Sequence, residues 1–225
     1  QPRAIGTAEE EALRQTGMKD GIAWVRADRP TQTMLLLLAI STLCISPFFM
    51  VMMPLYSRNI LQVGPYEHGL LMASSGVGAF VGSLFLLSIP QVRRSSYLRL
   101  AIGAISGAML VLSLSRHLAV SIGSMIVLTL GTSTVFGLAN TIVQERAPDP
   151  IRGRISAIVG LSFFGVLPFS GLLVASFADL AGLRAAMATA AICYGIGGGL
   201  LLYFHRRSSH RERTADHDAS APEEE

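Results

Sequence analysis

The chain has 225 residues, of which 51% are hydrophobic and 15% are charged, and its mean hydropathy is +0.49. A soluble domain carries about 25% charged residues, so this composition excludes an ordinary soluble fold and favours one embedded in lipid. The net charge of +3 comes from short basic clusters between apolar runs, a pattern that does not suit a nucleic-acid-binding face.

The polar segment 1–30 is predicted to be a cytoplasmic linker that contains an amphipathic helix. Apolar residues gather near its end, at Ile22, Trp24 and Val25, and an acidic run stands near its start. Such a helix suits either a membrane surface or a solvated linker. The first residue is Gln1 rather than Met, so we expect a fragment or a sequence that lacks its true start.

Six apolar runs are each long enough to cross a bilayer, which needs about 20 apolar residues in a helix. They predict an all-α membrane protein whose transmembrane domain covers 31–205. The runs are 33–56, 69–90, 97–115, 118–143, 155–178 and 184–204. The polar tail 206–225 lacks periodicity and is predicted to be disordered.

The basic residues predict the orientation of these spans. Fifteen of the 18 Lys and Arg residues stand before the first run, after the sixth, or in the second and fourth connections, if Arg99 at the start of the third run is counted with the second connection. Cytoplasmic loops retain such residues, so both termini are predicted to be cytoplasmic.

Prolines interrupt two of the spans. Pro47 and Pro54 stand in the first and Pro168 stands in the fifth, so both helices are predicted to be kinked. Transporters place discontinuous helices at their substrate sites. Large apolar side chains of the first span could therefore line a substrate path, although packing against lipid is an equally simple interpretation. These side chains are Phe48, Phe49, Met52 and Tyr56.

The fourth span carries a polar stripe. Thr129, Ser133, Asn140 and Gln144 recur at helical spacing, and Phe136 flanks them. We expect this stripe to line a cavity, and the alternative is that it only forms hydrogen bonds between helices.

Three pairs of glycines have the spacing G-x-x-x-G, which allows helices to approach each other closely. They are Gly78 with Gly82, Gly103 with Gly107, and Gly195 with Gly199.

The chemistry of the spans argues against catalysis. Their interiors contain no Asp, Glu or Lys, and the five histidines stand at span ends or in the tail. We therefore predict no catalytic site, no metal site and no cofactor. If a proton gradient drives the protein, the coupling group lies outside this chain.

Three segments resemble transporters of the major facilitator superfamily, in particular the branch of the bacterial enterobactin exporter. ANTIVQERAPDPIRGRISAIVG (139–160) and FADLAGLRAAM (177–187) are similar to helices ten to twelve of that superfamily. MKDGIAWVRADRP (18–30) is similar to the end of its central cytoplasmic loop. The resemblance covers about residues 15–205.

The resemblance implies the C-terminal half of a twelve-helix transporter, built as two inverted three-helix repeats. In the bilayer, its partner would be the missing N-terminal six-helix half or a second subunit, with a small-molecule path between them. Such a protein would export a small amphipathic molecule across a bacterial inner membrane by alternating access. The alternative is a self-contained six-helix subunit with an assembly or regulatory role.

The same resemblance implies a gating role for the loop after the fourth span. Arg152, Gly153 and Arg154 match the basic RGR of the family's loop, and Glu145 and Asp149 are the nearest possible partners of the two arginines. Simple anchoring at the cytoplasmic surface is the alternative. The connection IPQVRRSSYLR lacks the Gly and Asp usual in the superfamily's signature at that point.

Overall fold

The computed structural model describes residues 18–219 and the side chains of residues 21–203. Within this range the chain is helical and forms no strand. Six of its helices are long and apolar enough to cross a membrane, so the predicted all-α membrane fold is confirmed. The part of the predicted N-terminal helix that precedes Met18 lies outside the described residues.

A short linker helix, Met18–Ala27, leads into the six spans. In chain order the spans are Arg29–Leu61, Pro65–Leu87, Gln91–Leu114, Leu118–Arg146, Asp149–Ala181 and Leu183–Tyr203.

The helix that contains the sixth span continues to Ala219. The prediction of a disordered tail therefore differs from the structure over 206–219. The reason lies in the sequence, which has neither Gly nor Pro between Leu200 and Pro222 and therefore gives the helix no stop signal. Residues 220–225 lie outside the described range.

The first span is irregular in its second half. A π-helical stretch, Phe48–Met52, follows Pro47 directly, and a second one, Ser57–Leu61, follows the short α-helical segment that contains Pro54. Proline cannot donate the backbone hydrogen bond that an α-helix needs. A π-helical turn accommodates the missing bond by a local change in the pattern of backbone hydrogen bonds. Gln62, with a φ of 54°, ends the span in the left-handed conformation.

The fifth span is divided into two helices. Its first helix, Arg152–Phe164, stops before Gly165, and its second, Leu167–Ala181, has Pro168 in its first turn. Pro168 lacks the N–H that would continue the ladder of hydrogen bonds, and position N1 or N2 of a new helix tolerates it. The break therefore lies at 165–166.

Close helix packing at small residues holds the bundle together. A Cβ at Gly78 would lie 2.3 Å from the backbone oxygen of Ile126, and one at Gly82 would lie 2.6 Å from that of Leu130. The second and fourth spans therefore touch through their backbones, as the G-x-x-x-G spacing predicts. At Gly103 and Gly107, by contrast, the described residues leave open space around an added Cβ.

The first span occupies the centre of the bundle. Its side chains Leu37, Phe48, Met53 and Tyr56 are completely buried, and Tyr194 of the sixth span is also buried against this core. The second and fifth spans contribute least, because only 22% and 6% of their most apolar windows are buried. These two spans therefore present most of their apolar surface outwards.

Candidate functional site

An open cavity of about 450 Å³ lies between the first, fourth and fifth spans. We call it the apolar cavity, because most of its surface comes from hydrocarbon and aromatic groups. It is lined by Ile45, Ser46, Phe49, Met50, Thr132, Ser133, Phe136, Phe163, Phe164 and Leu167. None of these residues carries a charge.

A second cavity, of about 400 Å³, adjoins the first on the side nearer to the start of the first span and the end of the fourth. We call it the amide cavity, because Asn140 brings a carboxamide to it. Its lining residues are Leu38, Phe136, Gly137, Asn140, Val159, Gly160, Phe163 and Phe164. The two cavities share three phenylalanines and therefore lie next to each other along the helix bundle, and we call the pair the path.

The side chains of the first span that reach the path are not the predicted ones. Phe48 and Met52 are 0% and 1% exposed and belong to the core, so the structure does not bring these two predicted path residues to the cavities. Phe49 and Met50 line the apolar cavity instead. Phe48 and Met52 follow the buried Ser41 and Ile45 at three- or four-residue steps, so they continue the buried face of the same helix.

The predicted polar stripe of the fourth span divides between two roles. Ser133, Phe136 and Asn140 line the path, as expected for cavity residues. Thr129 is buried and donates to the backbone oxygen of Met125 over 2.9 Å, where it packs beneath Gly78. The hydrogen bond of Thr129 stays within its own helix, so the stripe lines the path in one part and packs against the second span in another.

Gln144 extends the stripe to the end of the fourth span. Its Nε2 donates to the Oδ1 of Asn140 over 3.3 Å, and no described residue accepts from the Nδ2 of Asn140. The carboxamide in the cavity therefore keeps both N–H groups available.

Most residues of the fifth span that line the path could not be singled out from the sequence. Phe163 and Phe164 precede the break before Pro168, and both reach the two cavities. The available signal was a pair of adjacent phenylalanines a few residues from a proline, which the first span also has in Phe48 and Phe49 after Pro47.

The end of the bundle beside the amide cavity is rich in ion pairs, and we call it the basic end. Asp28 caps the first span by accepting from the backbone N–H of Thr31 at 3.1 Å, and it also accepts from two guanidinium nitrogens of Arg146, one at 2.9 Å. Partial burial opposes ionisation, but these donors outweigh it and hold the pKa of Asp28 below its usual range. One carboxylate therefore joins the start of the first span to the end of the fourth.

The predicted gating residues form pairs at the same end. Asp149 and Arg152 approach to 2.8 Å within the loop, as the sequence suggested. Glu145 instead accepts two hydrogen bonds from Arg94, in the connection between the second and third spans. Arg154 packs beside the linker helix, where a Cβ at Gly21 would lie 3.5 Å from the Cβ of Arg154. At Gly153 an added Cβ would meet open space.

The opposite end of the bundle carries hydrogen bonds between side chains. The hydroxyls of Tyr56 and Ser121 are 2.7 Å apart, and the hydroxyl oxygen of Ser57 lies 2.9 Å from the Nδ1 of His68. Among the side chains of residues 21–203, which the structure describes, we find no group of three or more His, Cys, Asp or Glu that could hold a metal ion. The geometry of the two cavities suits the binding of an uncharged molecule.

Comparison with known families gives one match. The profile of a family described as transmembrane secretion effector matches residues 6–224, which is nearly the whole chain. A comparison with curated proteins gave no significant match.

Proposed function

Because the chain belongs to the transmembrane secretion effector family of the major facilitator superfamily, we propose that it forms the C-terminal half of a secondary active exporter. Its six spans would be helices seven to twelve, arranged as two inverted three-helix repeats. The substrate would be a small amphipathic molecule, and it would cross the membrane by alternating access. The observation that carries this proposal is the pair of adjoining uncharged cavities between the first, fourth and fifth spans.

The exposed spans support a partner half. Only 6% of the apolar window of the fifth span is buried, although this span also lines the path. Lipid can cover such a surface, but lipid beside the open path would compete with any substrate. A second six-helix unit over the first, fourth and fifth spans would instead enclose the path between two protein walls.

The ion pairs of the basic end support a gating role there. Asp28, Arg94, Glu145 and Arg146 link three chain segments that must separate or slide if the path opens at that end. Each pair has one partner that is largely exposed, and ion pairs at a protein surface contribute on the order of 1 kcal/mol, so these pairs can break during a transport cycle. We propose that the basic end faces the cytoplasm of a bacterial inner membrane, because basic loops are retained there.

The experiment is a comparison of small molecules in the medium and in the cells of a strain that lacks the full-length gene. The strain is complemented with the wild type, with Ser133→Trp, which fills the apolar cavity, or with Val127→Trp as a control. Val127 lies on the same span but is 44% exposed and lines neither cavity.

We expect at least one compound that the wild type and the control move into the medium and that Ser133→Trp leaves in the cell. Identical profiles for the deletion and the complemented strain would contradict an export function. Equal profiles for the two tryptophan variants would contradict the assignment of the path.

A further inference from the structure

Phe163 occupies the boundary between the apolar cavity and the amide cavity. Its ring meets that of Phe136 edge to face at 5.4 Å and that of Phe164 edge to face at 5.0 Å. It is thus the middle ring of three that both cavities share. Edge-to-face pairs of this kind are favourable but weak, so a moving side chain or a ligand can separate them.

The position of this ring in the chain gives it freedom to move. The helix that carries Phe163 ends one residue later, at Phe164, and the fifth span resumes only at Leu167. Hinges are formed by a few residues at the ends of elements. A small rotation of the first helix of this span about 165–166 would therefore displace the ring from the boundary.

The two cavities differ in chemistry. The apolar cavity is lined mainly by aliphatic and aromatic side chains, and the hydroxyl of Thr132 is already bonded to the backbone oxygen of Leu128 at 2.7 Å. The amide cavity holds the carboxamide of Asn140, whose Oδ1 is occupied by Gln144 and whose N–H groups remain free. A ligand group that binds there must accept hydrogen bonds.

Charge further restricts the ligand. No residue that lines either cavity is charged, and a buried charge without a partner is strongly unfavourable. We infer that the cavities are two parts of one binding site divided by Phe163, which takes an uncharged molecule with an aromatic body in the apolar part and a hydrogen-bond acceptor on Asn140. As a statement about substrate class, this rests on the proposed transport function; as a statement about binding, it can be tested without transport.

The partition by Phe163 is tested by cysteine accessibility in the full-length protein, in a Cys193→Ala background. Gly160→Cys reports on the amide cavity, where an added Cβ meets open space, and Ser133→Cys reports on the apolar cavity. A membrane-impermeant thiosulfonate is applied from the side of the basic end.

We expect rapid modification of Gly160→Cys and slow modification of Ser133→Cys. Addition of Phe163→Ala should raise the rate at Ser133→Cys by about tenfold or more and leave the rate at Gly160→Cys nearly unchanged. Phe169→Ala is the matched control, because Phe169 is on the same span, is 71% exposed and lines neither cavity. An equal effect of both alanine variants on Ser133→Cys, or no effect of either, would overturn the partition.

The ligand class is tested with three probes that share two phenyl rings. Benzophenone adds a neutral carbonyl acceptor, diphenylmethane has no acceptor, and 4-benzoylbenzoate adds a negative charge. At matched membrane concentrations, we expect benzophenone to slow the modification of Ser133→Cys most and 4-benzoylbenzoate least. Addition of Asn140→Leu should abolish the advantage of benzophenone over diphenylmethane, because only that advantage depends on the amide.

Stronger protection by 4-benzoylbenzoate would overturn the uncharged class, and an advantage of benzophenone that survives Asn140→Leu would overturn the role of Asn140. No protection by any probe would overturn the binding site itself. These outcomes are independent of the export experiment, because they measure the reactivity of a thiol and not the movement of a substrate.

Discussion

The contact between the second and fourth spans gives the sharpest stability prediction, with Gly78→Ala as the perturbation. The added Cβ would lie 2.1 Å from the hydroxyl of Thr129 and 2.3 Å from the backbone oxygen of Ile126, whereas an ordinary contact is 3.4–4 Å. The threonine can rotate, but the backbone cannot, so the two helices must move apart by roughly 1 Å. Overpacking of this kind costs about 1–3 kcal/mol and occasionally more.

The matched control is Gly76→Ala, two residues away on the same helix, where an added Cβ meets open space. Alanine there should be neutral or slightly stabilising, because it favours the helix by up to about 1 kcal/mol over glycine. The assay is the midpoint of thermal aggregation of the detergent-solubilised protein, followed by size-exclusion chromatography.

We expect Gly78→Ala to lower this midpoint by several degrees relative to Gly76→Ala. Addition of Thr129→Ala should not restore it, since the obstruction by Ile126 is in the backbone. Equal midpoints for the two single variants, or full rescue by Thr129→Ala, would refute the inferred backbone contact.

Two further predictions concern the ends of the bundle. Asp28→Asn should lower the thermal midpoint at neutral pH while keeping the helix cap, because it removes the charge that pairs with Arg146. The pKa of Asp28 is lowered, so the pair's contribution is complete above the ordinary value of 3.8 and is lost as the pH falls through the lowered pKa. The difference between wild type and variant should therefore vanish in acid, and a difference independent of pH would argue against the ion pair. Reporter fusions after Pro90 and after Ser115 should report cytoplasmic and external locations respectively, and the reverse pattern would overturn the orientation.

The composition and length of the apolar runs were sufficient to predict six helices. In lipid the backbone N–H and C=O groups find no water, and a helix is one of the few structures that pairs all of them internally. The spacing of Gly78 and Gly82 also predicted a close helix contact, although Gly103 and Gly107 have the same spacing and no such contact. A glycine pair permits approach, and only the shape of the neighbouring helix decides whether approach occurs.

The lining of the path was harder to predict, because it depends on which face of each helix meets the core. The spacing of Phe48 and Met52 places them on one face of the first span, and that face is the buried one, whereas Phe49 lies at the cavity. Glu145 was expected to pair with the nearby arginines of its own loop. It pairs instead with Arg94, which is distant in sequence and close only in the folded bundle.

Asn140→Leu in the full-length protein tests most directly whether the uncharged path carries a substrate. The measurement is the amount of compound secreted per molecule of protein in the membrane, with Thr141→Leu as a control that lines neither cavity. We predict a marked loss of secretion for Asn140→Leu, normal secretion for Thr141→Leu and equal amounts of both proteins in the membrane. Normal secretion per molecule by Asn140→Leu would contradict the account.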